Sequence, residues 1–215
     1  MLETELKYFI PKRNIGSLKI LKKNQNSKLW QRYLENKNIT KAFKLLFPNL
    51  IEKFNFTTAR IRFVRKGHKS QYFATFKGPY LNESSRIEIE RKIDVKIFKN
   101  LNKLCRGVTV HKIRYYIPGW VLNTNNKKIK ITAEIDHLID WSSEFFTVDL
   151  ELPSEKLIKN IRLGHHSFDF LKCCAIELNR ELTQIRKPLS MKYLSQNGFN
   201  QKTKNIVRLL LKKIS

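Results

Sequence analysis

Residues 84–93 read SSRIEIERKI, and the alternation is strict: Arg86, Glu88 and Glu90 fall on one side, Ile87 and Ile89 on the other. A period of two belongs to a β-strand with two unlike faces. The same pattern returns along the chain. LETELKYFI (2–10) carries Glu3, Glu5 and Lys7, TTARIRFVR (57–65) carries Arg60 and Arg62, and SQYFATFK (70–77) closes on Lys77. HKIRYYI (111–117) carries Lys112 and Arg114, residues 129–138 carry Glu134 and Asp136, and FFTVDLEL (145–152) carries Asp149 and Glu151. The intervening positions are apolar, among them Leu6, Ile61, Phe63, Ile113, Ile135, Val148 and Leu150.

With a short strand at Leu29–Leu34, the count is about eight consecutive, antiparallel strands. Turns fall at Lys66-Gly67-His68, Gly78-Pro79, Pro118-Gly119 and Asn123–Lys128. Residues 35–55 form an insert, helical around Thr40–Phe47, and Val95–Cys105 reads as an amphipathic helix with Ile97, Leu101 and Leu104 on one face. From Pro153 the pattern turns helical, over Asp169–Leu178, Leu189–Ser195 and Thr203–Ile214. No linker or internal repeat interrupts the 215 residues, which read as one domain with its helical part at about 153–215.

Two architectures fit such strands. One is a sandwich with a solvated charged face. The other is an inverted barrel, with charges lining a tunnel and apolar faces packed outward under helices. A plain solvated face has no reason to hold Glu-x-Glu-x-Lys and Arg-x-Glu-x-Glu in register. Nor has it reason to favour arginine, the residue of bidentate phosphate contacts, where lysine is so common elsewhere. The expectation is therefore an α+β chain built on an eight-stranded antiparallel barrel with a charged interior, helices outside and at the C-terminal end.

Seven cations, Lys7, Arg60, Arg62, Lys77, Arg86, Lys112 and Arg114, could grip a polyanion about as charged as triphosphate. The clustered carboxylates, with no His or Cys among them, suit a hard cation, Mg2+ or Mn2+, through oxygen ligands. Cations and metal-binding carboxylates around one cavity describe phosphoryl transfer.

These residues carry a resemblance. Glu3-Thr4-Glu5-Leu6-Lys7 resembles the N-terminal Glu-x-Glu-x-Lys signature of the CYTH family, the triphosphate tunnel metalloenzymes. The likeness continues through Arg60/Arg62, Thr75-Phe76-Lys77-Gly78, Arg86-x-Glu88-x-Glu90, Lys112-x-Arg114-Tyr115, Glu134-Ile135-Asp136 and Asp149-x-Glu151-Leu152. It covers roughly residues 1–155 and extends more weakly to Arg180-Glu181-Leu182-Thr183 and Tyr193. What it implies is a triphosphatase acting on inorganic triphosphate, on thiamine triphosphate or on RNA 5′-triphosphates, or else an adenylate cyclase. Carried over, Glu3, Glu5, Asp136, Asp149 and Glu151 are the expected metal ligands, and the seven cations the phosphate binders. Glu88 and Glu90 are expected to serve a second metal or the attacking water. Asp149 stands where glutamate is commoner. The family's C-terminal lysine has no clean counterpart, although Lys187 and Lys192 lie nearby, and no His-Phe element of the cyclase branch precedes Glu3.

With 43 Lys and Arg against 18 Asp and Glu, the formal net charge is +25. The charged strand positions nearly balance, so the excess belongs to the exterior. It is open to RNA, to polyphosphate or to a reading as proteome bias, and a non-catalytic polyanion- or RNA-binding module is the alternative to an enzyme. The three cysteines, Cys105, Cys173 and Cys174, are odd in number with two adjacent, which argues against a disulfide framework and for the cytoplasm. No apolar run reaches the roughly 20 residues of a membrane span. His165-His166 reads as a loop pair rather than a metal site. Trp30, Trp120 and Trp141 are scattered and read as outer-wall packing, leaving no base-recognition element in view. Ser154 and Ser190 have no His or Asp at informative spacing.

Overall fold

Strands with two unlike faces must bury the apolar one. Here each strand does so outward, beneath helices, while the charged face turns in. The structure, a computed structural model, describes residues 2–14, 21, 26–50, 54–140, 145–172, 175–180 and 187–213, with Lys172 and Pro188 described by their backbone alone. Eight strands form the barrel: β1 (Leu2–Pro11), β2 (Asn26–Leu34), β3 (Thr58–Lys66), β4 (Lys69–Tyr80), β5 (Ser85–Ile93), β6 (Cys105–Leu122), β7 (Lys128–Leu138) and β8 (Phe145–Leu152). Their order is β5-β4-β3-β2-β6-β7-β8-β1, all pairs are antiparallel, and β5 returns to β1 through Leu2↔Ile87, Glu3↔Arg86 and Thr4↔Ser85 to close the ring.

Two outer cores hold the wall. One packs Leu6, Ile117, Val121, Ile135 and Val148 under Ile158 and Ile161 of helix α3 (Ile158–Arg162). The other packs Ile61, Ala74 and Phe76 under α1 (Ile39–Leu46) and α2 (Val95–Asn102). Asp94 starts α2 by accepting the Ile97 N–H at 2.8 Å, an N-cap that the sequence supplies locally. A third cluster joins Phe9, Val110, Leu138 and Phe145 of the strands to Leu194 of α5 (Met191–Asn197) and to Val207 and Leu210 of α6 (Gln201–Lys213). Gly107 lets α5 approach β6: its φ is +79°, and a Cβ there would lie 2.2 Å from the Ser195 carbonyl oxygen.

Four expectations need correcting. Strand β6 runs 18 residues, straight through Pro118-Gly119 rather than turning there. Pro118 pairs with Thr132 of β7, and the ladder continues through it without a register shift. Gly119 fits because the Phe168 ring would lie 2.5 Å from any Cβ. Strand β4 likewise continues through Gly78-Pro79 to Tyr80, absorbing the change as a register shift against β5. Helix α2 ends at Asn102, because Leu34 of β2 takes Cys105 as its strand partner. The helix expected over Asp169–Leu178 is confined to α4 (Asp169–Lys172), and Ile176–Glu177 form a short strand, β9, on the edge of β1 that β5 leaves open beyond Thr4. Trp141, Cys173, Cys174, Glu181, Leu182, Thr183 and Ile214 lie outside the described residues. No helix of the described residues is long and apolar enough to cross a membrane.

Candidate active site

Register turns the period-two residues into a single lining. Cross-strand partners point to the same side of a sheet, and the ladder pairs Glu3 with Arg86, Glu5 with Glu151, Lys7 with Asp149, Lys77 with Glu88, Arg114 with Asp136 and Glu134 with Asp149. All the charged positions singled out from the sequence line one cavity of about 1280 Å3. Buried charges must be paired, and here the pairing forms a ring of cooperating contacts.

Asp136 anchors the deepest part. It is 2% exposed, accepts Arg114 Nε at 2.7 Å and Nη2 at 2.8 Å, and also accepts Lys112 Nζ. Burial works against its charge, but Arg114 and Lys112 hold its carboxyl well below the ordinary range. Lys112, 1% exposed, is pushed down to about 7 by burial and by repulsion from Arg114, with Asp136 opposing. Arg114 also pairs with Glu134.

On the opposite wall Arg62 Nη2 grips Glu90 at 2.8 and 3.1 Å, while Thr75 Oγ1 donates to the same carboxylate at 2.7 Å. Burial would raise Glu90, yet Arg62 and Thr75 hold it below its usual value. Arg60 lies 3.9 Å from Glu88. Glu3 is shared by Lys77 Nζ at 2.7 Å and Arg86 Nε at 2.8 Å. Glu5, 3% exposed, takes Arg86 Nη2 at 3.0 Å and Lys7 Nζ at 3.1 Å on one oxygen. Lys7 Nζ bonds Asp149 at 2.7 Å; burial disfavours its charge, but Asp149 and Glu5 hold the ammonium well above its usual range.

One carboxylate stands apart. Glu151 makes no ion pair or hydrogen bond with another described residue. Burial, then the charge of Glu134, with Arg114 opposing and smaller contributions from Glu3 and Glu5, pushes it up to about 7. Among the described tunnel carboxylates Glu151 thus has the weakest pairing with the protein's own cations. Glu5 and Glu151, facing each other across β1 and β8 with Asp149 one step along, fit a hard divalent cation through oxygen ligands. Asp136 does not fit that role as it stands, because both of its oxygens are already bound. Among the described residues no three of His, Cys, Asp or Glu converge closely enough to hold a metal in their present positions, for Glu3, Glu5 and Asp149 are each turned to a lysine or arginine.

Several contributors escaped the sequence reading. Tyr33 and Thr75 line or brace the tunnel, and Tyr80 lies under the Arg86 guanidinium at 4.6 Å. Asn179 fills the seam between β5 and β9: it accepts the Lys7 N–H at 2.6 Å and donates to the Glu5 and Glu83 carbonyls at 3.1 and 3.0 Å. No spacing rule could assign that role to an asparagine at the far end of the chain. Lys187 and Lys192 also line the cavity, and Lys192 Nζ donates to the Thr57 carbonyl at 2.8 Å. His166 is buried and accepts the Phe168 N–H at 3.0 Å on Nδ1. Trp30 packs on Phe63, but Trp120 falls on the tunnel face of β6, two-residue steps from Arg114, contrary to the outer-wall expectation.

No family model matches the chain, and no curated protein matches it. Solved structures do resemble it. The PH1819 protein from Pyrococcus horikoshii OT3 is 19% identical over 75% of this chain and 85% of its own, with a TM-score of 0.48. The inorganic triphosphatase NE1496 is 19% identical over 90% of this chain and 93% of its own, at 0.42. The adenylyl cyclase homologue HpAC1 from Hippeastrum, described as having a dominant triphosphatase activity, is 14% identical over 79% of this chain and 86% of its own, at 0.47. None of these scores reaches 0.5, so activity has to be read from the tunnel's own side chains.

Proposed function

We propose that the chain is a divalent-metal-dependent triphosphatase that draws a triphosphate group into the barrel and cleaves its terminal phosphoanhydride. The observation that carries this reading is the lining itself: seven cations from five strands face eight carboxylates around one cavity. A polyanion entering there exchanges water for guanidinium and ammonium donors already held in place. Arg60, Arg62 and Arg114 offer planar forks to phosphate oxygens, and Lys7, Lys77 and Lys112 add point charges. Glu88 and Glu90 fix Arg60, Arg62 and Lys77, and present oxygens that can orient a water. Asp136 and Glu134 hold Arg114.

Mg2+ or Mn2+, held by Glu5, Glu151 and Asp149, would neutralise phosphate oxygens and stabilise charge in the transition state. Hydrolysis forms one P–O bond from water and breaks the terminal phosphoanhydride, and orthophosphate leaves with the water's proton. Most of the acceleration comes from positioning and preorganised charge.

The test is orthophosphate release from inorganic triphosphate with Mg2+ and with EDTA, for the wild type and Arg62→Ala. Metal-dependent release that falls at least about a hundredfold in the variant supports the reading. Release that is absent with either metal, or equal in the two proteins, overturns it.

A further inference from the structure

The charges that the ladder sets face to face on β1 and β8 form a small square. Glu5 lies opposite Glu151, and one inward step along, Lys7 lies opposite Asp149. Successive inward positions on one strand are ~7 Å apart, and direct partners across the ladder ~5 Å. Three corners are the carboxylates that the proposed function gives to a divalent cation, and the fourth is a lysine. Its ammonium turns toward them. Lys7 Nζ donates to Asp149 Oδ1 at 2.7 Å and lies 3.1 Å from Glu5 Oε1, so one positive charge bridges two of the three carboxylates.

Lys7 differs in this from the other tunnel cations. Among the described residues its ammonium has no hydrogen-bond or ion-pair partner beyond Glu5 and Asp149. Lys112 pairs with Asp136, and Arg62 with Glu90. Arg86 also bonds Glu5, at 3.0 Å, but it keeps Glu3 at 2.8 Å and rests on the Tyr80 ring at 4.6 Å, so it stays held without Glu5. The Lys7 side chain is also the most accessible of the seven, 30% exposed where Arg60 and Arg86 reach 14%. Its unbranched four-carbon stem carries a point charge that can turn without repacking a wall.

We infer that Lys7 is a resident counter-ion of the metal site: it bridges Glu5 and Asp149 until a divalent cation takes them, and then turns into the lumen to grip phosphate. The identity of the ligands rests on the proposed function. Charge drives the exchange. Two positive charges replace one between carboxylates held close in a partly buried wall, and an ammonium cannot keep the same oxygens beside a doubly charged ion. While Lys7 bridges the strands it is spent, and phosphate meets one cation fewer. Its release therefore couples the two ligands through the chain, so that each tightens the other. A lysine that only braced β1 against β8 would carry no such coupling.

The experiment titrates Mn2+ alone into the full chain at pH 8, with no phosphate present, and reads free Mn2+ by its paramagnetic resonance. Lys7→Gln removes the resident charge and should bind Mn2+ at least about tenfold more tightly than the wild type, the scale of losing a unit charge seated on two ligands. Lys7→Met should show the same gain if the glutamine variant folds poorly. Arg60→Gln removes an equal charge whose partner is Glu88, and should change the affinity less than about threefold. A second titration uses orthophosphate: saturating Mn2+ should tighten its binding less in Lys7→Gln than in the wild type. Mn2+ affinity that is unchanged or weaker in both Lys7 variants, or raised equally by Arg60→Gln, overturns the exchange. An equal tightening of orthophosphate in the two proteins overturns the hand-over to phosphate. Metal-dependent triphosphate hydrolysis alongside unchanged Mn2+ affinity overturns the exchange and leaves the proposed function standing. Tighter Mn2+ binding by the Lys7 variants of a chain that hydrolyses no triphosphate upholds the exchange and overturns the proposed function.

Discussion

Replacing Asp136 by Asn keeps the side chain's shape and removes the one negative charge shared by Lys112 and Arg114. The two cations are not equally exposed to the loss. Arg114 retains Glu134 and has Asp149 at 3.7 Å. Lys112 is 1% exposed, and Asp136 is its only ion-pair partner among the described residues. Removing one partner of a buried pair costs about 3–5 kcal/mol. Lys112 can limit that cost by shedding its proton, since burial and Arg114 already push it down to about 7. The expectation for Asp136→Asn at pH 7 is therefore the lower part of that range, about 3 kcal/mol. Lys112→Met should cost under ~1.5 kcal/mol, because Asp136 keeps both bonds to Arg114 and methionine fills the volume. In the double variant the costs should not add, and a favourable coupling of about 1–2 kcal/mol should appear. The assay is urea unfolding of the four proteins. Additive costs, or a Lys112→Met variant as unstable as Asp136→Asn, would refute the claim that Asp136 is the shared anchor.

Other perturbations follow from the same geometry. Glu151 has its carboxyl raised from 4.5 to about 7, so its contribution to stability is full below pH 4.5 and lost as pH rises through 7; Glu151→Gln should flatten that slope and raise Tm at pH 8, and an unchanged slope would place Glu151 in open water. Mg2+ should raise the wild-type Tm at pH 8 more than that of Glu151→Gln, which a thermal melt reads directly. Glu5→Gln should lower triphosphate turnover by about a hundredfold and lose some stability, because its buried carboxylate pairs with Arg86 and Lys7, whereas intact turnover at limiting Mg2+ removes Glu5 from the site. Asn179→Ala strips the seam contacts to the Glu5 and Lys7 backbones; kcat should fall more than affinity for triphosphate, and a pure stability loss would make Asn179 structural only. Gly107→Ala forces a strained φ and a collision with Ser195, so it should cost at least ~2 kcal/mol.

The lining was legible because a period of two is unambiguous: Arg86-x-Glu88-x-Glu90 has to put three charges on one face. The barrel followed once the pattern recurred with mixed signs. What spacing could not give was register. Nothing in Glu5 or Glu151 alone says that they face each other, and nothing in Asp136 says that its oxygens belong to Arg114 and Lys112. Strand β9 was read as helix because two residues carry no periodicity. Trp120 was assigned to the outer wall from the scatter of the tryptophans, and Pro118-Gly119 looked like the end of its strand. The structure instead carries the strand through both residues and keeps the alternation.

The most direct measurement is a calorimetric titration of inorganic triphosphate into the wild type and into Arg60→Gln/Arg62→Gln, with circular dichroism confirming that both are folded. A charged tunnel that receives triphosphate predicts one site per chain in the wild type and at least a tenfold weaker site in the variant, a difference that narrows as salt rises. Equal affinity in the two proteins, or many weak sites in both, would contradict it, because the +25 exterior rather than the tunnel would then be holding the anion.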